Sequence, residues 1–222
     1  MKKLMSSVAV SLAMILLSVP LIYGQDLSKY RNLSLGTSLA DVSKLINKKP
    51  ADAIVVHQRP ALIQQLTWWP ARNVDSSLGG EAVQEIRFSF FNDKLYRIAV
   101  TYDNTSTRGL TPEDMAKAIT ATYGTPTGLA AGQIKDNYGA LVKVLAGWED
   151  SQYSLSLFQS SLSNSFGLLI IMKQLDAQAD DASAEAVKLE IQEAPDKELA
   201  RVKKQADDLE AVRQKNVETF RP

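Results

Sequence analysis

The chain of 222 residues contains one histidine, His57, and no cysteine. A thiolate nucleophile, a disulfide, a lipid-modified cysteine and a two-histidine metal site are therefore all beyond its means. A Ser-His-acid triad would have to recruit His57, but no Gly-x-Ser-x-Gly elbow presents a serine. No glycine-rich phosphate loop occurs either. Paired carboxylates can do acid–base work, and Glu149-Asp150 is such a pair, yet Trp148 and Tyr153 bracket it as they would a turn. Asp180-Asp181 and Asp207-Asp208 fall in an Ala-, Glu- and Lys-rich stretch and read as solvated helix faces. These residue types and spacings point to no catalytic residue, no metal ligand and no cofactor. What remains is recognition, and Trp68-Trp69 is its candidate: neighbours on a strand point to opposite faces, so both rings cannot enter one core layer. Either one ring is exposed as a binding anchor, or helix and sheet layers cover both.

The elements that position those rings follow from periodicity. Leu39, Val42, Leu45 and Ile46 recur at helical spacing behind a Thr37 or Ser38 cap, with Pro50 beyond. Short strands are expected at 54–57 and 62–69, then at 83–91 and 95–102 after a polar loop over 71–81. A second helix opens with Thr111 as cap, Pro112 at its first position and Glu113 and Asp114 behind, and it ends at Gly124 with Pro126 beyond. After a glycine-rich connector, strands are expected at 140–148, 153–159 and 166–175. Asp41-Val-Ser-Lys-Leu-Ile aligns without gaps on Asp114-Met-Ala-Lys-Ala-Ile, so residues 33–103 and 108–175 can be read as two repeats or as two unrelated units.

The aromatic stretch Phe88 to Asp103 reads as a hairpin. A three-residue loop at Asn92, Asp93 and Lys94 pairs Phe90 with Tyr96, Phe88 with Ile98 and Ile86 with Val100 on one buried face, at the cost of a left-handed position near Lys94. The other face carries Ser89, Arg97, Arg87, Ala99, Glu85 and Thr101 and is expected to be solvated. The run Gly167 to Met172 has no alternation and wants cover on both faces. The charged tail from Asp176 onward, with Ala179, Ala182, Ala186 and Leu189 on one stripe, can supply it, and Pro195 is expected to split the tail into two helices.

At the other end, Lys2 and Lys3 precede an apolar run of roughly a dozen residues from Val8 to Val19, followed by Pro20 and Gly24. That is the form of a secretory signal peptide over 1–24, cleaved near Gly24–Gln25, since a membrane span needs about 20 apolar residues. The segment holds two lysines and no acid, so its removal takes the formal charge from 0 to −2. Neither value supplies the basic field that nucleic acid requires.

A helix, a Trp-containing strand and an F-x-(N/D)-(D/G)-K-L hairpin, given twice, carry a likeness to a known fold. On Gly36-Thr-Ser-Leu-Ala-Asp-Val, Trp68 and Phe91-Asn-Asp-Lys-Leu95, the chain resembles the β-lactamase inhibitor protein-like fold over residues 33–175. Small outer-membrane lipoproteins of the β-barrel assembly machinery share one copy of that unit. The resemblance implies helices on a sheet and a binding role, and it transfers no functional residue. The lipidated cysteine and the disulfides of those relatives are absent.

The expectation is an α+β domain over 25–175, with an antiparallel sheet built from two helix-then-strands units, and a charged helical tail over 176–222. Functionally it is a periplasmic or secreted non-enzymatic binding or envelope-assembly protein whose partner is another envelope protein, with no nucleic acid and no lipid anchor. A hydrolase with an acid-based site and an apolar-ligand carrier are the alternatives.

Overall fold

The structure, a computed structural model, describes residues 26–71, 78, 80, 82–128, 133–135, 140–160 and 163–221. The expected signal segment and its cleavage point lie outside those residues, as do most of the polar loop over 71–81 and most of the glycine-rich connector.

A short hairpin, β1 (Lys29–Tyr30) and β2 (Leu33–Ser34), leads into α1 (Leu39–Leu45). Strands β3 (Ile54–His57), β4 (Ile63–Trp68), β5 (Val83–Phe91) and β6 (Lys94–Tyr102) form the first meander. Helix α2 (Pro112–Tyr123) precedes the second, made of β7 (Gln133–Lys135), β8 (Leu141–Glu149), β9 (Tyr153–Gln159) and β10 (Phe166–Met172). All eight join in one antiparallel sheet of order β3-β4-β5-β6-β10-β9-β8-β7, so the last strands of the two meanders meet at its centre. The fold is thus α+β with an antiparallel sheet, ending in a single long helix, α3 (Lys173–Thr219).

The helices form where the sequence caps them. The Ser38 side chain accepts from Asp41 N, and Thr111 and Asp114 make a reciprocal capping box with Pro112 at the first helical position. Each helix is then pinned to the sheet by a side chain. Asp93 Oδ1 accepts from Leu39 N at 3.0 Å, and Trp148 Nε1 donates to the Gly124 carbonyl at 2.7 Å. Helices α1 and α2 and the β1–β2 hairpin cover the first sheet face, where Leu66, Trp68, Ile86, Phe88, Phe90, Ile98, Val100, Leu155, Leu168 and Ile170 make the main core.

The β5–β6 hairpin departs from expectation at its tip. Ile86 faces Val100, Phe88 faces Ile98 and Ser89 faces Arg97, as the aromatic pattern required. The turn, however, has two residues, Asn92 and Asp93, both at positive φ. Phe90 pairs with Leu95 rather than Tyr96, because a bulge between Ser89 and Phe90 absorbs the difference. Two left-handed positions match the twist of a two-residue hairpin, and Asn and Asp tolerate them better than the lysine assigned that strain. Tyr96 turns to the second face, beside Ile63 and Ala179.

That second face is not solvated, which is a further correction. Ser89, Ala99 and Glu85 are all buried. Helix α3 covers part of it, with Ala179 and Ala186 buried and Leu175 and Ala182 packed alongside. It rests on Ile63 of β4 and Tyr96 of β6, whereas Leu169 of β10 is buried by Ala99, Val142 and Phe158. Gly167 lets the far end of the Phe158 ring approach β10 closely, since an added Cβ would come within 2.2 Å of that ring. Strand β10 ends at Met172, three residues earlier than expected, and α3 starts at once, with Lys173 N donating to the Gln152 carbonyl at 2.9 Å. Pro195 does not divide the tail: it lies inside the continuous helix. A helix-interior proline removes one hydrogen bond and crowds the preceding turn, but neighbouring turns of strong helix formers on both sides carry the helix across it.

Candidate functional site

Trp68 and Trp69 part company at the end of β4. Trp68 pairs with Ile86 and is 9% exposed within the main core, whereas Trp69 is 61% exposed. The Trp69 indole Nε1 donates to Glu85 Oε2 at 3.2 Å, which fixes the ring on the second face of the sheet. Behind it, Glu85 is buried and its other oxygen accepts from Arg87 Nη2 at 3.4 Å. A ring oriented by a buried, guanidinium-paired carboxylate loses less conformational freedom on binding than a loose one.

Beside this corner runs the sheet's edge. Among the described residues strand β3 pairs with β4 alone, and its Ile54, Val55 and Val56 are exposed by 70%, 43% and 40%. By register Ile54 lies opposite Gln65, so Ile54, Gln65, Thr67 and Trp69 share the second face. An uncovered edge of β-branched residues is a template for another strand. The strand is legible in the local pattern of residues 54–57, but its place at the edge is not, because that depends on pairing order.

Two grooves flank α3. One of about 300 Å³ lies between β3 and the helix, lined by Val55, Val56, Ala186, Leu189 and Glu190 among others, and Arg59 Nη2 closes its end on both Glu193 oxygens at 2.9 and 2.8 Å. His57 Nδ1 lies 3.6 Å from Glu190 Oε1 on this side. The other, of about 500 Å³, is lined by Arg97, Ile134, Leu169, Ile171, Asp176, Asp180 and Ser183. In it Arg97 Nε donates to Asp176 Oδ1 at 2.8 Å. Burial raises the Asp176 carboxyl above its ordinary value, and the Arg97 charge opposes that rise. The pair satisfies itself and anchors α3 to β6.

The remaining chemically suggestive residues have structural roles here. Asp150 Oδ1 accepts from the backbone of Gln152 and Tyr153, both at 2.7 Å, which is a turn, and Glu149 is paired with Lys173 at 3.2 Å. Asp207 and Asp208 are exposed on α3. Tyr30, Tyr102 and Tyr123 cluster under the β1–β2 hairpin, where burial pushes Tyr123 up to about 12 and Tyr30 and Tyr102 in the same direction, so all three stay neutral at physiological pH. Among the described residues no three His, Asp or Glu side chains gather as metal ligands, and no helix is long and apolar enough to cross a membrane.

A family model described as the TP0088 domain matches residues 28–186. No curated protein and no solved structure matches the chain. The match runs from the first hairpin through the whole sheet and stops at Ala186, the last buried residue of α3, so it takes in the packed body and leaves the rest of the helix outside. On that coverage, well over half of its length, the chain belongs to the TP0088 domain family.

Proposed function

We propose that the protein is a secreted or periplasmic, non-enzymatic binding or envelope-assembly component that holds a protein partner at the corner formed by Trp69 and the β3 edge. The observation that carries this reading is Trp69. It is the one tryptophan that the fold leaves in solvent, and its indole is oriented by Glu85. An exposed, pre-oriented aromatic beside an unpaired edge suits a partner offering an extended segment: backbone hydrogen bonds along β3 give affinity, and the ring gives a hot spot. The grooves beside α3 mix apolar side chains with charged ones, and the sheet's apolar face is filled by its own helices, so the carrier reading has no comparable feature in its favour.

The test is site-specific photo-crosslinking in cells. A photoreactive phenylalanine in place of Trp69 or Ile54 is expected to give an adduct with a second protein, and one in place of the exposed Lys44 on α1 is not. Equal labelling at Lys44, or none at position 69, would remove the reading.

A further inference from the structure

Helix α3 carries two apolar stripes on opposite sides. At about 100° per residue, Leu175, Ala179, Ala182 and Ala186 fall in one sector, and these face the sheet. Ile191, Leu199, Val202, Ala206, Leu209 and Phe220 fall in a second sector roughly 180° away by the same rotation. Of these, Ile191, Leu199, Leu209 and Phe220 are each about 70% exposed, and every residue from Ala194 to Thr219 is open to solvent. The outer stripe therefore begins above the docked part of the helix and continues to its tip with nothing of the described chain against it.

We propose that this outer stripe is the contact with a second copy of the chain, packed antiparallel about a two-fold axis between Gln205 and Ala206. The order of charges argues for that occupant and that direction. Basic Arg201, Lys203 and Lys204 are followed directly by acidic Asp207, Asp208 and Glu210. With Val202 set opposite Leu209 of the second copy, Ile191 falls opposite Phe220 of that copy, and the small Ala206 sits beside the axis. On one flank Lys203 meets Glu210 of the second copy, and the symmetry makes that contact twice. Farther out, Glu198 lies opposite Arg213 of the second copy, and the register sets no two like charges at the same level between positions 196 and 215. A parallel pair would instead stack Arg213 on its own copy within the stripe. The overlap from 191 to 220 is about 45 Å long at 1.5 Å per residue, which leaves the two bodies at opposite ends. The internal pairs Glu198–Arg201 and Glu210–Arg213 are exposed, so trading them costs little. A lipid surface fits this helix less well, because its charged flanks carry both signs rather than the Lys- and Arg-rich face of membrane-surface helices.

Sedimentation equilibrium on protein purified from cells expressing the whole reading frame is expected to show a dimer. Lys203→Glu should weaken it at least tenfold, and adding Glu210→Lys to the same chain should restore it. Because the chain has no cysteine, disulfide trapping reads the register directly. Ala206→Cys should oxidise to a covalent dimer, whereas Val202→Cys should do so only when mixed with Leu209→Cys. A monomer at every concentration would overturn the proposal, and so would a monomer that binds anionic phospholipid vesicles through the arm. Val202→Cys trapping itself as readily as Ala206→Cys would overturn the antiparallel register.

Discussion

Trp68 and Trp69 are adjacent in the chain and opposite in consequence. Trp68→Ala removes a large ring from the main core and should cost roughly 3–5 kcal/mol in chemical denaturation, with partner crosslinking at Ile54 unchanged in the folded fraction. Trp69→Ala should leave the unfolding midpoint nearly where it was and weaken partner capture at least tenfold, since a hot-spot aromatic contributes about 2 kcal/mol or more. That the two rings must separate was legible from strand alternation alone. Which ring is buried was not, because it depends on Trp68 meeting Ile86 and on Glu85 taking the Trp69 N–H, both from a strand that starts 15 residues later. The Arg97–Asp176 pair gives a second check at this scale. Burial raises the Asp176 carboxyl and the guanidinium opposes that rise. Arg97→Ala should therefore move the Asp176 titration further up, followed by the carboxyl NMR signal against pH. A native carboxyl that holds its proton more tightly than the unfolded one stabilises the fold at low pH and loses that contribution as pH rises through its own pKa. The variant should accordingly lose stability between its lowest pH and neutrality more steeply than the parent.

At the scale of elements, hydrophobic period and capping chemistry located α1, α2 and most of the larger strands, because each is decided by a few neighbouring residues. The misses share a cause, which is a choice made by distant packing. The β5–β6 register was right in its body, where Phe88 and Ile98 must both be buried, and wrong at the tip, where a bulge could substitute for an extra loop residue. Pro195 is tolerated inside α3, a choice that local propensity opposes. The solvated face assigned to Ser89 and Ala99 could not be recognised as buried without knowing that α3, Phe158 and Val142 come to lie on it. One prediction belongs to the sheet itself. Gly167→Ala would drive a methyl into the Phe158 ring at 2.2 Å, and the ring must rotate away or β10 must shift. Overpacking of this kind costs about 1–3 kcal/mol, so the denaturation midpoint should fall. An unchanged midpoint would mean that the Phe158 ring is free to leave.

For the whole molecule, the division that matters runs along α3. Its first part, through Ala186, is a layer of the fold: Ala179 and Ala186 are buried, Arg97 holds Asp176, and Arg59 reaches Glu193 just beyond. Its last part, from Glu198 to Thr219, is exposed throughout and lies past the end of the family match. Two truncations separate these roles. A chain ending after Leu175 strips the cover from Ile63 and Tyr96 on the second sheet face, creating an apolar patch of the kind that drives association. It should unfold at lower denaturant and scatter light at concentrations where the full protein does not. A chain ending after Lys197 keeps every buried contact of the helix and the Arg59–Glu193 pair, so its midpoint should match that of the full-length Lys203→Glu variant diluted until it is monomeric. If the shorter chain instead stays monomeric and equally stable, α3 contributes no layer to the fold and all of it, not only its outer half, serves as an arm.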